Sequence, residues 1–126
     1  LPVSAVILAL GTNDFSDKER RPYHEEYVQA WTSLMRRVHA MNPEAPIICL
    51  EPLPAAVSPL AGLWIEETCE RVQREGIPAH YIALNEDGPL LAPGDFVGDG
   101  THPTKSGSAR LARYLAPRLA PFLPHH

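Results

Sequence analysis

Cysteine is scarce in this sequence, with Cys49 and Cys69 the only two among 126 residues. Two cysteines cannot build a multi-bridge disulfide framework, so a chain of this size must be held by a packed core. Apolar runs are short. None reaches the roughly 18 residues that suggest a membrane span. Positive charge is not in excess either. Lys and Arg number 11 against 15 Asp and Glu, a formal charge of −4 with histidine neutral. That sign argues against a chain built to neutralise nucleic-acid phosphates. The sequence also starts without an initiator methionine or the cationic stretch of a signal peptide. Leu1-Pro2-Val3-Ser4 leads straight into Ala5-Val6-Ile7-Leu8-Ala9-Leu10. Entry into a buried strand at once creates the expectation of a segment upstream.

What is present is ordinary globular usage. Hydrophobic residues make up 44% and charged residues 21%, which excludes wholesale disorder. The length suits one domain or part of one. The 14 prolines lie mostly at segment edges, where a fixed φ and a missing N–H do least harm.

Hydrophobic periodicity alternates between strand and helix. Residues 3–10 are continuously apolar and rich in β-branched side chains, as expected of a strand covered on both faces. Pro22 sits where a first helical turn tolerates proline. Tyr27, Trp31, Leu34, Val38 and Met41 then mark one apolar helix face, and Asn42-Pro43 ends it. Pro46 to Leu50 reads as a second strand and His80 to Leu84 as a third. Between them Ala61, Ile65, Cys69 and Val72 line a helix that Gly76 terminates in a left-handed conformation. Leu111, Leu115, Leu119 and Phe122 line a last helix, which Pro117 is expected to kink or split. The resulting β-α-β-α-β-α order implies a parallel sheet. The first strand carries nothing that discourages pairing, so one or two further strands are expected beside it. No repeat, low-complexity tract or second domain interrupts the pattern.

In open parallel sheets, ligands bind beyond the carboxyl ends of the strands. That rule selects Gly11 to Ser16, Glu51 to Pro54, and Phe96 to Thr104. Asp99 and His102 lie three residues apart before the last helix. An aspartate held against an imidazole Nδ1–H fixes its tautomer and favours the imidazolium formed when Nε2 takes a proton. Asn13 offers an amide donor able to hold a developing oxyanion. Taken singly, each has a plainer reading: Asn13 as a turn residue, Asp99 as a loop acceptor, His102 as a residue near a helix cap. Asp95, Asp99 and His102 make a weak metal set without a fourth ligand, and no metal is assigned. His24 and His39 read as solvated, His80 and Trp31 as structural, and Trp64 as either core or a sugar-stacking rim.

Two blocks taken together carry a family resemblance. Gly11-Thr12-Asn13-Asp14 resembles the third conserved block of the SGNH, or GDSL-type, hydrolases, and Asp99-Gly100-Thr101-His102-Pro103 resembles their fifth. The extended wording Leu10 to Phe15, with the helix end at Asn42-Pro43, is most similar to the acetyl esterases of carbohydrate esterase family 2. The resemblance implies a flavodoxin-like three-layer α/β/α fold with strand order 2-1-3-4-5, of which this chain holds the last three strands. It implies His102 as base, Asp99 as its orienting partner and Asn13 as oxyanion donor, with Gly11 and Asp14 shaping the turn that presents Asn13. It also implies an ester hydrolase of small acyl groups, most simply acetyl groups on carbohydrate, needing no metal or organic cofactor.

One departure is large. The family's Gly-Asp-Ser block, which supplies the nucleophile, is missing, as is its second block. Ser4, Ser16, Ser33, Ser58, Ser106 and Ser108 are the six serines, and none follows Gly-Asp. Ser16, in Asn13's loop, is the one stand-in worth testing. Residues 1–126 are therefore expected to be the C-terminal portion of a single hydrolase domain, completed by an N-terminal segment or companion chain bearing Gly-Asp-Ser. The alternatives are a non-catalytic binding or structural module on the same scaffold, or a thioesterase, arylesterase or acyltransferase of the same superfamily.

Overall fold

The computed structural model describes residues 3–10, 23–53, 58–98 and 102–124. Three strands form the sheet: β1 (Val6–Leu8), β2 (Ile47–Leu50) and β3 (Ala79–Ile82). They pair in parallel in the order β1-β2-β3, with Ile7 opposite Ile48, and Ile48 opposite His80. Helices α1 (His24–Met41) and α2 (Ser58–Gln73) connect them, and α3 (Lys105–Leu119) follows β3 after a long loop.

The alternation of side chains along each strand divides the core in two. On one face Val6, Leu8, Ile47, Cys49 and Ala79 meet Tyr27, Trp31 and Met35 of α1 and Ala61, Ile65, Cys69 and Val72 of α2. On the other, Ile48, Leu50, Ile82 and Leu84 meet Leu111, Tyr114, Leu115, Leu119 and Phe122. Helices on both sides of a parallel sheet give the three α/β/α layers of a partial flavodoxin-like fold. Central β2 is buried at all four positions, which is why its sequence is an unbroken apolar run.

Several sequence expectations shift in detail. β1 is shorter than the apolar run, and Ile7 stays 48% exposed. Among the described residues it is an edge strand, and α3 covers β2 and β3 on that face but not Ile7. On α1 the buried stripe is Tyr27, Val28, Trp31 and Met35, while Met41 is 77% exposed. Met41 is the last helical residue, and Asn42 ends the helix there with its N–H on the Val38 and His39 carbonyls. Ser4 precedes β1 and is exposed rather than lying within a strand. Pro117 does not split the last helix, which runs two residues past it and passes into a 3-10 turn at Ala120–Phe122. Pro22 falls outside the described residues.

Gly76 behaves as expected. Its φ is +87°, its N–H reaches the Gln73 carbonyl, and the Ile77 N–H reaches Val72. This is the Schellman arrangement, with Ile77 and Val72 both buried in the core. The two cysteines, whose relation the sequence left open, are free and buried. Their side chains are hydrogen-bonded; that bond and burial together push the Cys49 thiol up. Both side chains pack as small apolar groups in the core.

Candidate functional site

The direction of α3 locates His102 relative to the sheet. Its C-terminal extension places Phe122 on the His80 ring, at 4.4 Å, near the start of β3. Half a helix earlier, the Tyr114 hydroxyl donates to the Ala83 carbonyl just past the end of β3, at 2.8 Å. The start of α3, nine residues before Tyr114, therefore projects about 14 Å further, at a helical rise of about 1.5 Å per residue. His102 lies just ahead of that start and is exposed beyond the carboxyl edge of the sheet.

Short-range chemistry sets how His102 is held. Thr104 is the N-cap of α3, and its Oγ1 accepts from the Gly107 N–H at 3.1 Å. Two residues upstream, the His102 carbonyl accepts from Val97 N–H at 2.8 Å, and Phe96 pairs with Pro103 in an isolated antiparallel bridge. The segment before the helix is thus laid against residues 95–97. Asp95, in the 3-10 turn Pro93–Asp95, lies beneath that contact at 7% exposure. Its Oδ2 accepts from Ala92 N–H at 2.8 Å and lies 3.4 Å from Arg110 Nε. Among the described residues no group of three or more His, Cys, Asp or Glu could hold a metal ion.

Glu51, at the end of β2, is a second buried carboxyl at this edge, 8% exposed. Its Oε1 accepts from Leu84 N–H at 2.7 Å and Asn85 N–H at 3.0 Å, fixing the chain where it leaves β3. Asn85 Oδ1 in turn accepts from Leu90 N–H at 3.1 Å. Beside Glu51, the Tyr81 hydroxyl fits only because residue 62 is glycine, where a Cβ would lie 2.5 Å from it. Burial, with Glu51 and Glu66 nearby, pushes the Tyr81 phenol well up. Glu51→Ala leaves two backbone donors without this acceptor, a loss of about 2–4 kcal/mol of stability. Glu51→Gln keeps a carbonyl oxygen there and is expected to lose less than half as much, read from urea midpoints at constant slope. Equal stability of the parent and Glu51→Ala would remove this role.

Other histidines depart from the sequence reading. His24 is not simply solvated: Nε2 lies 2.5 Å from Glu67 Oε2, and its ring meets Trp64 edge-on at 5.1 Å. Trp64 also contacts Tyr27 at 5.6 Å and packs half-buried on the core, while Trp31 is fully part of that core. His39 is half-buried on α1 instead of lying open at its end. His80, structural as expected, has its pKa lowered by burial.

Of the site residues read from sequence, the structure therefore places His102. Gly11, Asn13, Asp14 and Asp99, with Ser16, lie outside the described residues. An open cavity of about 640 Å³ lies away from His102, between Leu10 and the Tyr27, Ala30, Trp31 and Leu34 stretch of α1. Sequence reasoning missed Glu51 and undervalued Asp95. A carboxylate directly after a buried apolar strand was the available signal for the first. The second is held by Ala92 N–H, by the N–H and hydroxyl of Thr104, and by Arg110 fifteen positions on, a set that no local spacing announces.

No protein-family profile and no curated protein matches the chain. Two solved structures do. A family two carbohydrate esterase from Cellvibrio japonicus superposes with a TM-score of 0.75 at 28% identity, over 94% of this chain and 33% of that one. An active-site mutant of a family two carbohydrate esterase from Clostridium thermocellum superposes with a TM-score of 0.79 over 96% of this chain and 36% of that one. At 22% identity the second speaks to fold alone. The chain spans about a third of the length of either. Among the described residues, no helix is long and apolar enough to cross a membrane.

Proposed function

We propose that residues 1–126 are the C-terminal portion of an SGNH-type ester hydrolase domain that removes small acyl groups, chiefly acetyl, from carbohydrate. A serine from a Gly-Asp-Ser segment outside this chain attacks the acyl carbon. His102 takes the serine proton through Nε2 and returns it to the leaving alcohol, and Asp99 orients the ring and favours its charged form. Asn13 donates to the oxyanion, with Gly11 and Asp14 shaping its turn. Water then attacks the acyl-enzyme, with His102 again as base. The observation that carries this reading is His102, which lies just before α3 at the carboxyl edge of a scaffold similar to part of a family two carbohydrate esterase.

The residues assigned here need no metal or organic cofactor, since proton transfer and oxyanion binding are done by side chains. Released acetate is the direct test. The complete enzyme is expected to free acetate from acetylated oligosaccharides and from an aryl acetate. No acetate from either substrate would favour a non-catalytic module on this scaffold.

A further inference from the structure

We infer that Asp95 is a positioning residue for His102, acting with Gly107 to clamp the turn that carries the imidazole. The inference rests on the esterase reading above and assigns a role to a residue outside both sequence blocks.

Asp95 works through two groups at once. Its carboxylate closes the turn by accepting from Ala92 N–H at 2.8 Å. Its backbone carbonyl accepts from both Thr104 N–H at 2.7 Å and Thr104 Oγ1 at 3.2 Å. Thr104 is two residues from His102, and it also caps α3. Gly107, in the same first turn of α3 as Thr104, is buried against this carbonyl, and any Cβ there would run into the Asp95 oxygen. The carbonyl is therefore held between the strand-like pairing of residues 95–97 and the first turn of α3. Val97 N–H to His102 carbonyl at 2.8 Å completes the clamp. Arg110, one turn further along α3, sets its Nε 3.4 Å from the same carboxylate and ties the helix to the turn.

A buried carboxylate spent on a backbone amide and an arginine does not itself touch substrate. Its effect is on where His102 sits. Misplacing a general base by a fraction of an ångström costs turnover while leaving substrate binding largely intact.

The test uses Asp95→Ala, Asp95→Asn and Gly107→Ala in the full enzyme, with aryl-acetate kinetics, thermal melting and NMR of labelled histidine rings. Asp95→Ala is expected to lose more than tenfold in kcat with KM within twofold, and to move the His102 ring signals. Asp95→Asn, which keeps an oxygen for Ala92, is expected to retain at least a third of the parent kcat. Gly107→Ala pushes on the same carbonyl without altering the carboxylate and is expected to repeat the kcat loss; it decides the matter if Asp95→Ala does not fold. Folded Asp95→Ala and Gly107→Ala with parental kcat and unmoved His102 signals would overturn the inference. If the parent turns over no ester, the esterase reading fails, and the ring signals alone then decide whether Asp95 places His102.

Discussion

Replacing His102 with alanine is expected to lower kcat for an aryl acetate by about 10⁴-fold, with KM within a few-fold of the parent. The size follows from the two proton transfers that one imidazole serves, from serine in acylation and from water in deacylation. The fold should survive. The link from Val97 ends on the His102 carbonyl, which alanine keeps, and the side chain is exposed. Melting temperature should therefore stay close to parental while turnover collapses. Turnover near the parental rate in a folded His102→Ala protein would defeat the assignment.

Asn13→Ala is the second large effect. Removing one oxyanion donor typically costs about 10²–10³ in kcat, because the donor strengthens its bond only as negative charge develops. KM should change little for the same reason. Asn13→Asp is expected to be at least as damaging, since it puts an acceptor where the oxyanion needs a donor. Steady-state kinetics with an aryl acetate separates the two constants. A large rise in KM with unchanged kcat would make Asn13 a ground-state binding residue instead.

How far the sequence announced this architecture depends on the kind of signal involved. Ile47 to Leu50 were legible as a covered strand because parallel sheets bury both strand faces. Ala61, Ile65, Cys69 and Val72 were legible because helical spacing puts them on one side, and all four are buried. Gly76 was legible because a helix end needs a positive φ that glycine supplies freely. Met41 misled, since periodicity marks a direction around the helix axis and says nothing of where its packing partner stops. Ile7 misled for a related reason: an apolar residue predicts a cover but not which element provides it. His24 was misread because its partner, Glu67, lies 43 positions away on α2. For the proposed site, the resemblance of two blocks to SGNH hydrolases implied His102, Asp99 and Asn13, of which the described residues include His102. The buried supports escaped that reading because their partners are distant in sequence: Glu51 binds the Leu84 and Asn85 amides, and Asp95 pairs with Arg110.

The claim at the centre of this account is that His102 serves a serine lying outside residues 1–126. The most direct measurement is covalent labelling of the complete enzyme with a serine-directed phosphonate, followed by peptide mapping by mass. The account predicts one adduct, on the serine of a Gly-Asp-Ser segment, formed far more slowly in His102→Ala. An adduct on Ser16 or any other serine of this chain, or labelling indifferent to His102, would contradict it.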